Sequence, residues 1–185
     1  MRQVLFTFVL FIPLLPANAT EWQSVPDSDF TFEVTIEGVS TTGRFGKYDV
    51  RFNFDPDHPD ASELRVSVDL RAADLGDPDM NSVLFDPAWF DVERFPVAVF
   101  RCEEITSTAP GNFVARGTLE LKGGTRTVEV PLTWSSDGTE ARMRGRFALR
   151  RTDFDVGSGE WSSDEYIGLD VTLAFDLNMT DADSR

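Results

Sequence analysis

Hydrophobic and polar residues alternate along most of the chain. Between residues 30 and 36, for example, Phe30, Phe32, Val34 and Ile36 are each separated by one polar residue. A period of two places the apolar side chains on one face of an extended strand and the polar side chains on the other. Repetition of this pattern predicts eight strands, over residues 30–36, 45–54, 64–70, 97–102, 113–121, 128–134, 143–149 and 167–177.

Short turn signals lie between these strands, so neighbouring strands are expected to pair antiparallel. The fold class is therefore all-β. Each strand has one apolar face, which must be buried either by closure into a barrel or by stacking of two sheets, and alternation alone does not decide between them. A change of phase between Phe45 and Tyr48 also predicts a bulge. The turn signals are Glu37-Gly38, Asp55-Pro56, Pro110-Gly111, Lys122-Gly123-Gly124 and Asp137-Gly138.

Residues 77–94 interrupt the alternation. Met80, Val83 and Leu84 follow helical spacing, and Asp79 or Asn81 is a suitable N-cap residue. We expect one or two short helices here, covering one end of a barrel or one edge of a sheet.

The first nineteen residues have the pattern of a secretory signal. Arg2 supplies a positive charge, residues 4–15 are almost wholly apolar, and Ala17 and Ala19 are the small residues that signal peptidase reads. The apolar run is too short for a membrane-spanning helix, which needs about 20 residues. We predict cleavage after Ala19, a single domain over residues 20–185, and a periplasmic location.

The chain is strongly acidic, and its chemistry is sparse. It has 17 basic and 32 acidic residues, a net charge of −15. Removal of Arg2 with the signal leaves 16 basic residues against 32 acidic, or −16, a charge that argues against nucleic acid as a partner. Cys102 is the single cysteine and cannot form an internal disulfide. Its spacing from Phe100 predicts a buried, inert thiol.

No constellation of reactive side chains points to an enzyme or to a metal site. The single histidine, His58, lies between Pro56 and Pro59 in a predicted exposed loop. One histidine and one cysteine do not support a zinc site or a Cys–His pair. The nearby Asp55, Asp57 and Asp60 favour a polar turn over a calcium loop. We predict no catalytic residues and no metal.

Several segments, in order and with compatible spacing, resemble the YceI family of exported proteins. The resemblance covers nearly the whole chain after the signal, and it implies an eight-stranded, lipocalin-like antiparallel barrel with a helical insertion. It also implies an apolar interior that holds a polyisoprenoid chain. Members with a similar Gly157–Trp161 segment are allied with membrane b-type cytochromes, which makes such a cytochrome a candidate partner. The segments are Gly43-Arg44-Phe45, Trp89-Phe90-Asp91-Val92, Phe95-Pro96, Phe100, Gly117-Thr118-Leu119, Leu121-Lys122-Gly123, Thr125-Arg126, Arg151-Thr152-Asp153-Phe154 and Gly157-Ser158-Gly159-Glu160-Trp161.

The aromatic residues are the main candidates for a ligand site. Apolar and aromatic side chains line most ligand pockets, and small inward residues leave room between them. The candidates are Phe30, Phe32, Phe45, Trp89, Phe90, Phe100, Phe147 and Trp161, with Ala115, Gly117 and Gly145 as the small residues.

Two groups of arginines have alternative interpretations. Arg151 either holds a polar head group at a barrel mouth or pairs with Asp153 or Asp155 to fix the following loop. Arg142, Arg144 and Arg146 lie on an outer face. They are either a docking patch or partners of carboxylates across the strands, such as Asp170, Asp176 and Glu129.

These features predict a periplasmic carrier that holds the isoprenoid chain of a quinone or a polyprenyl lipid, with no other cofactor. The acidic charge favours a neutral head group over a phosphate. One alternative is an interaction module with a filled core that docks on a membrane cytochrome or another exported partner. A lipid-acting enzyme is the third. Monomer and homodimer both remain open.

Overall fold

A computed structural model describes residues 19–184. The predicted signal lies outside these residues except for Ala19, so the cleavage site stays a prediction. Helix α1 spans Pro78–Phe85, and in the described range no helix has the length and hydrophobicity to cross a membrane. Within residues 19–184 the strands are β1 (Thr20–Ser24), β2 (Asp29–Ile36), β3 (Val39–Phe45), β4 (Tyr48–Phe54), β5 (Glu63–Asp69), β6 (Ala73–Asp74), β7 (Val97–Ala109), β8 (Asn112–Leu121), β9 (Gly124–Asp137), β10 (Glu140–Arg150) and β11 (Ile167–Asp181).

The eleven strands of this range form eight long antiparallel barrel strands, because three of the long strands are each built from two pieces. β1 and β2 both pair with β11, β4 pairs with β1 while β3 pairs with β2, and β5 and β6 continue the same arrangement beside β4 and β3. Trp22 pairs with Asp181 of β11 on one side and with Phe52 of β4 on the other. The first barrel strand therefore lies between the second and the last, and the barrel is closed. The predicted eight-stranded antiparallel barrel is confirmed.

The break predicted near Gly46 has a different form from a bulge. β3 ends at Phe45 and β4 begins at Tyr48, so the predicted strand 45–54 is divided and extends further towards the N-terminus. The adjacent barrel strand, made of β5 and β6, bends beside this break. A hydrogen bond from the Gly46 amide to the Ala72 carbonyl (2.8 Å) joins the two bends. The short strands β1 and β6 were not predicted.

The carboxyl group of Asp69 stabilises the bend between β5 and β6. It accepts from the backbone amide (3.2 Å) and Nε (2.8 Å) of Arg71, and it lies 3.5 Å from Lys47 Nζ. The hydrogen bonds from Arg71 lower the pKa of Asp69 to about 2. A charged Asp69 therefore stabilises the bend between β5 and β6.

The helical insertion crosses one end of the barrel. α1 is capped by Asp77, whose side chain accepts from the amides of Asp79 and Met80, so the predicted caps Asp79 and Asn81 are wrong. Asn81 instead donates to Asp74 (2.9 Å) and accepts from the amide of Leu75 (2.7 Å). The helix ends at Phe85, before Pro87, because a residue that precedes proline is disfavoured in the helical conformation.

The outward arginines of β10 pair with carboxylates on neighbouring strands. Arg142 Nε donates to Asp176 (2.6 Å), Arg144 approaches the same carboxylate (3.3 Å), and Arg146 reaches Glu33 (3.2 Å). The cross-strand interpretation is confirmed, with Asp176 as predicted. Glu33 of β2 is the other partner, whereas the predicted Asp170 and Glu129 form no ion pair with these arginines among the described contacts. Exposed pairs of this kind contribute at most about 1 kcal/mol each.

The half of the barrel where β1 begins and β11 ends is filled by aromatic rings; we call it the filled half. Phe52 stacks on Phe54 (ring centroids 4.3 Å apart), and Trp134 meets both rings and Trp22 edge to face at 5.2–5.4 Å. Phe113 packs against Phe54 in the same way (5.1 Å). Edge-to-face pairs of buried rings add about 0.5–1.5 kcal/mol each beyond their buried area.

Candidate ligand-binding cavity

Burial changes along the inward face of the strands as they approach the other end of the barrel. On β10, the inward residues Ala141 and Met143 are buried, whereas Phe147 and Leu149 are half-buried although they point to the same interior. Inward side chains are half-exposed where the interior contains empty space or opens to solvent. We call this part of the barrel, where β10 ends and α1 crosses, the hollow half.

The empty space is a cavity of about 170 Å³ with an almost wholly apolar wall. An engineered apolar cavity of about 150 Å³ stays dry and binds benzene, so a cavity of this size and polarity suits an apolar group better than water. Leu64, Val130 and Met143 belong both to its wall and to the packed aromatic cluster. They form the boundary between the two halves.

One wall of the cavity consists of cross-strand rows on β10, β11 and β2. Phe147 lies opposite Leu173, and Leu173 lies opposite Phe32. In an antiparallel sheet, residues directly opposite each other share a face, so this row faces the cavity together. Eight of the twelve candidate residues line the cavity: Phe30, Phe32, Phe45, Trp89, Phe90, Phe100, Phe147 and Arg151.

Two of the small candidates do not line the cavity. Ala115 is fully buried beside the aromatic cluster of the filled half. Gly117 faces the backbone of β7, where a Cβ would lie 2.2 Å from the Arg101 carbonyl oxygen. Glu103 is an extra residue of β7 at this point, a bulge that brings the two strands close together. These residues serve packing, and their assignment to the ligand site is corrected.

Gly145 affects the cavity indirectly, through a neighbouring side chain. A Cβ at this position would lie 2.3 Å from Cζ of Phe175 and 2.5 Å from the Pro131 carbonyl oxygen. Phe175 is its direct cross-strand partner and lines the cavity. The glycine therefore makes room for a ring of the wall and not for the ligand itself. Trp161, the fourth exception, packs outside the cavity against Trp89, with ring centroids 6.0 Å apart.

Sequence reasoning missed the aliphatic part of the wall. Valine and leucine side chains from β5, β8, β9 and β11 contribute much of the lining, as do Leu84 of α1, Phe154 and Val156. The strands carried the same alternation as the rest of the chain, which marks inward residues but does not distinguish those beside empty space. The missed strand residues include Val66, Val68, Leu119, Leu121, Val128, Val171 and Leu173.

Arg151 is 4% exposed and binds a loop, not a head group. All five N–H groups of its guanidinium donate to backbone carbonyls, which leaves no donor for a ligand. The predicted ion pair with Asp153 or Asp155 is also absent among the described contacts. The acceptors are the carbonyls of Gly168 (2.9 Å), Val156 (3.0 Å), Gly157 (3.1 Å), Ser163 (2.9 Å) and Ile167 (2.9 Å).

Burial lowers the pKa of Arg151, but a guanidinium stays protonated in proteins and remains charged. Its charge is compensated by the five carbonyl dipoles and by the ring of Trp89, whose centroid lies 5.5 Å from Cζ. The residue thus orders residues 155–168 across the end of the hollow half.

A second buried cation ties the same loop to the helical insertion. Lys122 Nζ donates to the carbonyls of Ala88 (3.2 Å) and Asp155 (2.7 Å). The Ala88 carbonyl also accepts from the amides of Gly157 and Ser158 (2.8 Å each). These contacts join the two segments that close the hollow half.

The remaining titratable candidates lie away from the cavity. His58 Nδ1 is 2.9 Å from Asp55 Oδ2 in an exposed loop, and this contact raises the pKa of His58 and lowers that of Asp55. Cys102 is half-buried and not buried as predicted, and its partial burial raises the pKa of the thiol, which disfavours the reactive thiolate. Within residues 19–184 no group of three or more histidine, cysteine or acidic side chains is placed to bind a metal.

A closed antiparallel barrel with an apolar cavity beneath a helical insertion defines a lipocalin-like class of barrel. The YceI-like domain matches residues 22–179, and the chain belongs to the YceI family. The predicted family is therefore confirmed.

The chain is similar to curated proteins and to solved structures of this family. A UPF0312 protein of Vibrio cholerae serotype O1 is 28% identical over 158 residues, which cover 80% of this chain and 83% of the relative. The crystal structure of BcnA from Burkholderia cenocepacia is 28% identical, with a TM-score of 0.79 and coverage of 82% of this chain and 95% of that one.

A polyisoprenoid-binding domain from Saccharophagus degradans, implicated in plant cell wall breakdown, shares the fold at a TM-score of 0.70. It is 16% identical, and the match covers 88% of this chain and 99% of that domain. At this identity the likeness concerns the fold alone.

Proposed function

We propose that this protein is a binding and carrier protein that holds the chain of an isoprenoid lipid or isoprenoid quinone in the hollow half, and that it does so in the periplasm. The observation that carries the proposal is the apolar cavity inside a closed barrel. The polyisoprenoid-binding domain with the same fold and the secretory pattern of residues 1–19 support it.

The energetics of such binding rest on the chain of the ligand. Each methylene moved from water into an apolar site contributes about 0.8 kcal/mol. The cavity of about 170 Å³ accommodates the innermost part of a chain, on the scale of one isoprene unit, with the side chains as they stand. Further units require the rings of the wall to move or the chain to extend out of the hollow half.

The polar groups near the cavity give a head group little to bind. The donors of Arg151 are all engaged, and the Nε1 of Trp89 is a buried donor without a partner among the described contacts. A net charge of −15 also repels an anionic head group. We therefore propose a neutral head group, as in a quinone or a prenyl alcohol.

Solvent extraction of the natively purified protein, followed by mass spectrometry, tests the proposal. A quinone or prenyl alcohol is expected. Binding of farnesol and farnesyl phosphate in titrations then compares the two head groups on one tail. We expect the phosphate to bind more weakly at low salt, with a difference that shrinks as salt screens the charge. Tighter binding of the phosphate would contradict the neutral head group.

A matched pair of variants locates the site. Leu149→Trp fills the cavity from its half-buried inward position, and Ala148→Trp places the same ring on the exposed outer face of the same strand. Farnesol binding should be lost in the first variant and retained in the second. Equal binding by both variants would show that the ligand lies elsewhere.

The two rival functions have less support. An interaction module with a wholly filled core needs no cavity, although the filled half resembles such a core. An enzyme acting on a lipid needs a reactive group beside the cavity, and the wall within the described residues is apolar apart from Arg151, whose donors are engaged, and the unreactive indole Nε1 of Trp89. We therefore propose binding without catalysis. The cytochrome partner stays a prediction from the resemblance.

A further inference from the structure

The ring of Phe32 lies over Gly43 of the neighbouring strand β3. Gly43 is its direct cross-strand partner on β3, and a Cβ built on Gly43 would lie 2.3, 2.7 and 2.8 Å from Cζ, Cε1 and Cε2 of the Phe32 ring. No side chain can occupy that position while the ring stays where it is. Phe32 is 5% exposed and forms part of the cavity wall.

The direction in which a side chain at position 43 would push the ring follows from the strand. Gly43 is buried between the exposed residues Thr42 and Arg44, so position 43 faces the barrel interior. A Cβ there points inward, and the three atoms nearest to it form the tip of the Phe32 ring. The ring would therefore move into the cavity.

We propose that Gly43 and Phe32 together set how much of a chain the hollow half admits. Gly43 lets the Phe32 ring lie against the barrel wall, and this position of the ring keeps the neighbouring part of the cavity empty. This inference rests on the proposed function, because it concerns the capacity of the same cavity. It makes Gly43 a specificity-determining residue that need not touch the ligand.

Gly43 is a better position for a test than Gly145, which stands in a similar relation to Phe175. A Cβ on Gly145 would also collide with the backbone carbonyl of Pro131 (2.5 Å), so its substitution disturbs the sheet itself. At Gly43 the three nearest atoms all belong to one side chain. Substitution by alanine should therefore leave the barrel folded.

The experiment compares Gly43→Ala with the wild-type protein in titrations with geraniol, farnesol and geranylgeraniol. Each methylene excluded from the cavity weakens binding about fourfold. The cavity holds about one isoprene unit, which all three alcohols contain, so we expect the Kd of all three to rise by a similar factor, at least about fourfold. Gly124→Ala is the matched control. Its Cβ would have ordinary contacts, none shorter than 3.4 Å, and its affinities should equal those of the wild type.

A second variant separates capacity from misfolding. In Gly43→Ala/Phe32→Leu the shorter side chain clears the new methyl group, so binding of geranylgeraniol should recover towards the wild-type value. Near-ultraviolet circular dichroism checks that every variant has native packing. Unchanged affinities in a folded Gly43→Ala variant, or a double variant without recovery, would overturn the proposal.

The apolar dye N-phenyl-1-naphthylamine distinguishes this proposal from the proposed function. If the wild-type protein binds the dye but no prenyl alcohol, the proposed function fails, and the dye then tests the cavity directly. Gly43→Ala should still weaken dye binding, with recovery in the double variant. Equal dye binding by wild type and Gly43→Ala would overturn the role of Gly43. Absence of dye and alcohol binding by the wild type would overturn both proposals.

Discussion

The filled and hollow halves of the barrel are built from the same strands and the same alternating pattern, yet one is solid and the other contains a cavity. Phe52 and Phe54 in the filled half are 0% and 1% exposed and interlock with Trp134. Phe30 and Phe32 in the hollow half have the same Phe-x-Phe spacing and line empty space.

The difference lies in the residues that surround each pair. In the filled half Trp134 of β9 packs on Phe52 and Phe54, and Trp22 of β1 packs on Trp134. The hollow half places a glycine opposite Phe32 and another opposite Phe175. A barrel of this size can be solid or hollow along its own axis, according to where large residues face each other and where they face glycine. Close packing and empty space thereby lie at different ends of the barrel.

The largest expected effect is the loss of a ring from the filled half. Phe52→Ala should lower the free energy of unfolding by about 4 kcal/mol, because it opens a void in a closely packed cluster. Phe147→Ala removes the same ring from the cavity wall and should cost about 1 kcal/mol, since Phe147 is only half-buried. Urea denaturation measures both values. Equal losses would show that the hollow half is packed as tightly as the filled half.

The next effect concerns the loop that closes the hollow half. Arg151→Lys keeps the charge but cannot supply five N–H donors, so we expect a loss of about 3 kcal/mol. Hydrogen exchange should accelerate at residues 155–168 and remain slow in β1, β4 and β9. Uniform acceleration throughout the barrel would indicate that the loop and the filled half unfold as one unit.

A smaller effect uses the tryptophans as reporters. Trp89 lines the cavity and Trp134 lies in the filled half. Replacement of either buried tryptophan by the smaller phenylalanine should cost about 2 kcal/mol of stability. A quinone in the hollow half should quench Trp89, so the Trp89→Phe variant should lose most of the ligand-dependent fluorescence change and Trp134→Phe should retain it. The reverse result would place the ligand in the filled half.

The smallest effect is the acid sensitivity of the bend at Asp69. Its pKa of about 2 lies below the ordinary value of 3.8, so its stabilisation is present above pH 4 and is lost as the pH falls towards 2. Asp69→Asn should therefore cost about 1 kcal/mol at pH 6 and almost nothing at pH 2. Thermal unfolding between pH 2 and pH 6 measures the loss of stability. Asp49→Asn, at an exposed position of β4, is the control. An equal loss for Asp69→Asn at both pH values would mean that its charge is unimportant.

The eight strands were predictable from the sequence because alternation and turn residues are local signals, whereas closure into a barrel was predicted only from the resemblance to the YceI family. The strands β1 and β6 were not predictable, since β1 offers only one buried residue, Trp22, and depends on pairing with β4 and β11. The division at Gly46 was visible as a change of phase. Its form depended on the neighbouring barrel strand, which bends at the same level.

The candidate site was predictable in part. Five of the eight candidate residues that line the cavity are inward aromatic residues that alternation identified: Phe30, Phe32, Phe45, Phe100 and Phe147. Arg151 shows why the rest could not be predicted. Its position at the end of β10 was evident, but its partners are backbone carbonyls of a loop without a regular pattern. Which glycines accommodate a neighbouring ring likewise depends on the cross-strand register, and that register is a long-range property.

The seam between β1 and β11 has a consequence for how the chain reaches its folded state. Trp22 and Asp181 pair across this seam although they lie at opposite ends of the sequence. Pairings between distant residues form late and slow folding, so the barrel cannot close until its last strand is available. The export proposed above requires the chain to stay unfolded while it crosses the membrane. A seam between β1 and β11 prevents barrel closure until both of these strands have crossed.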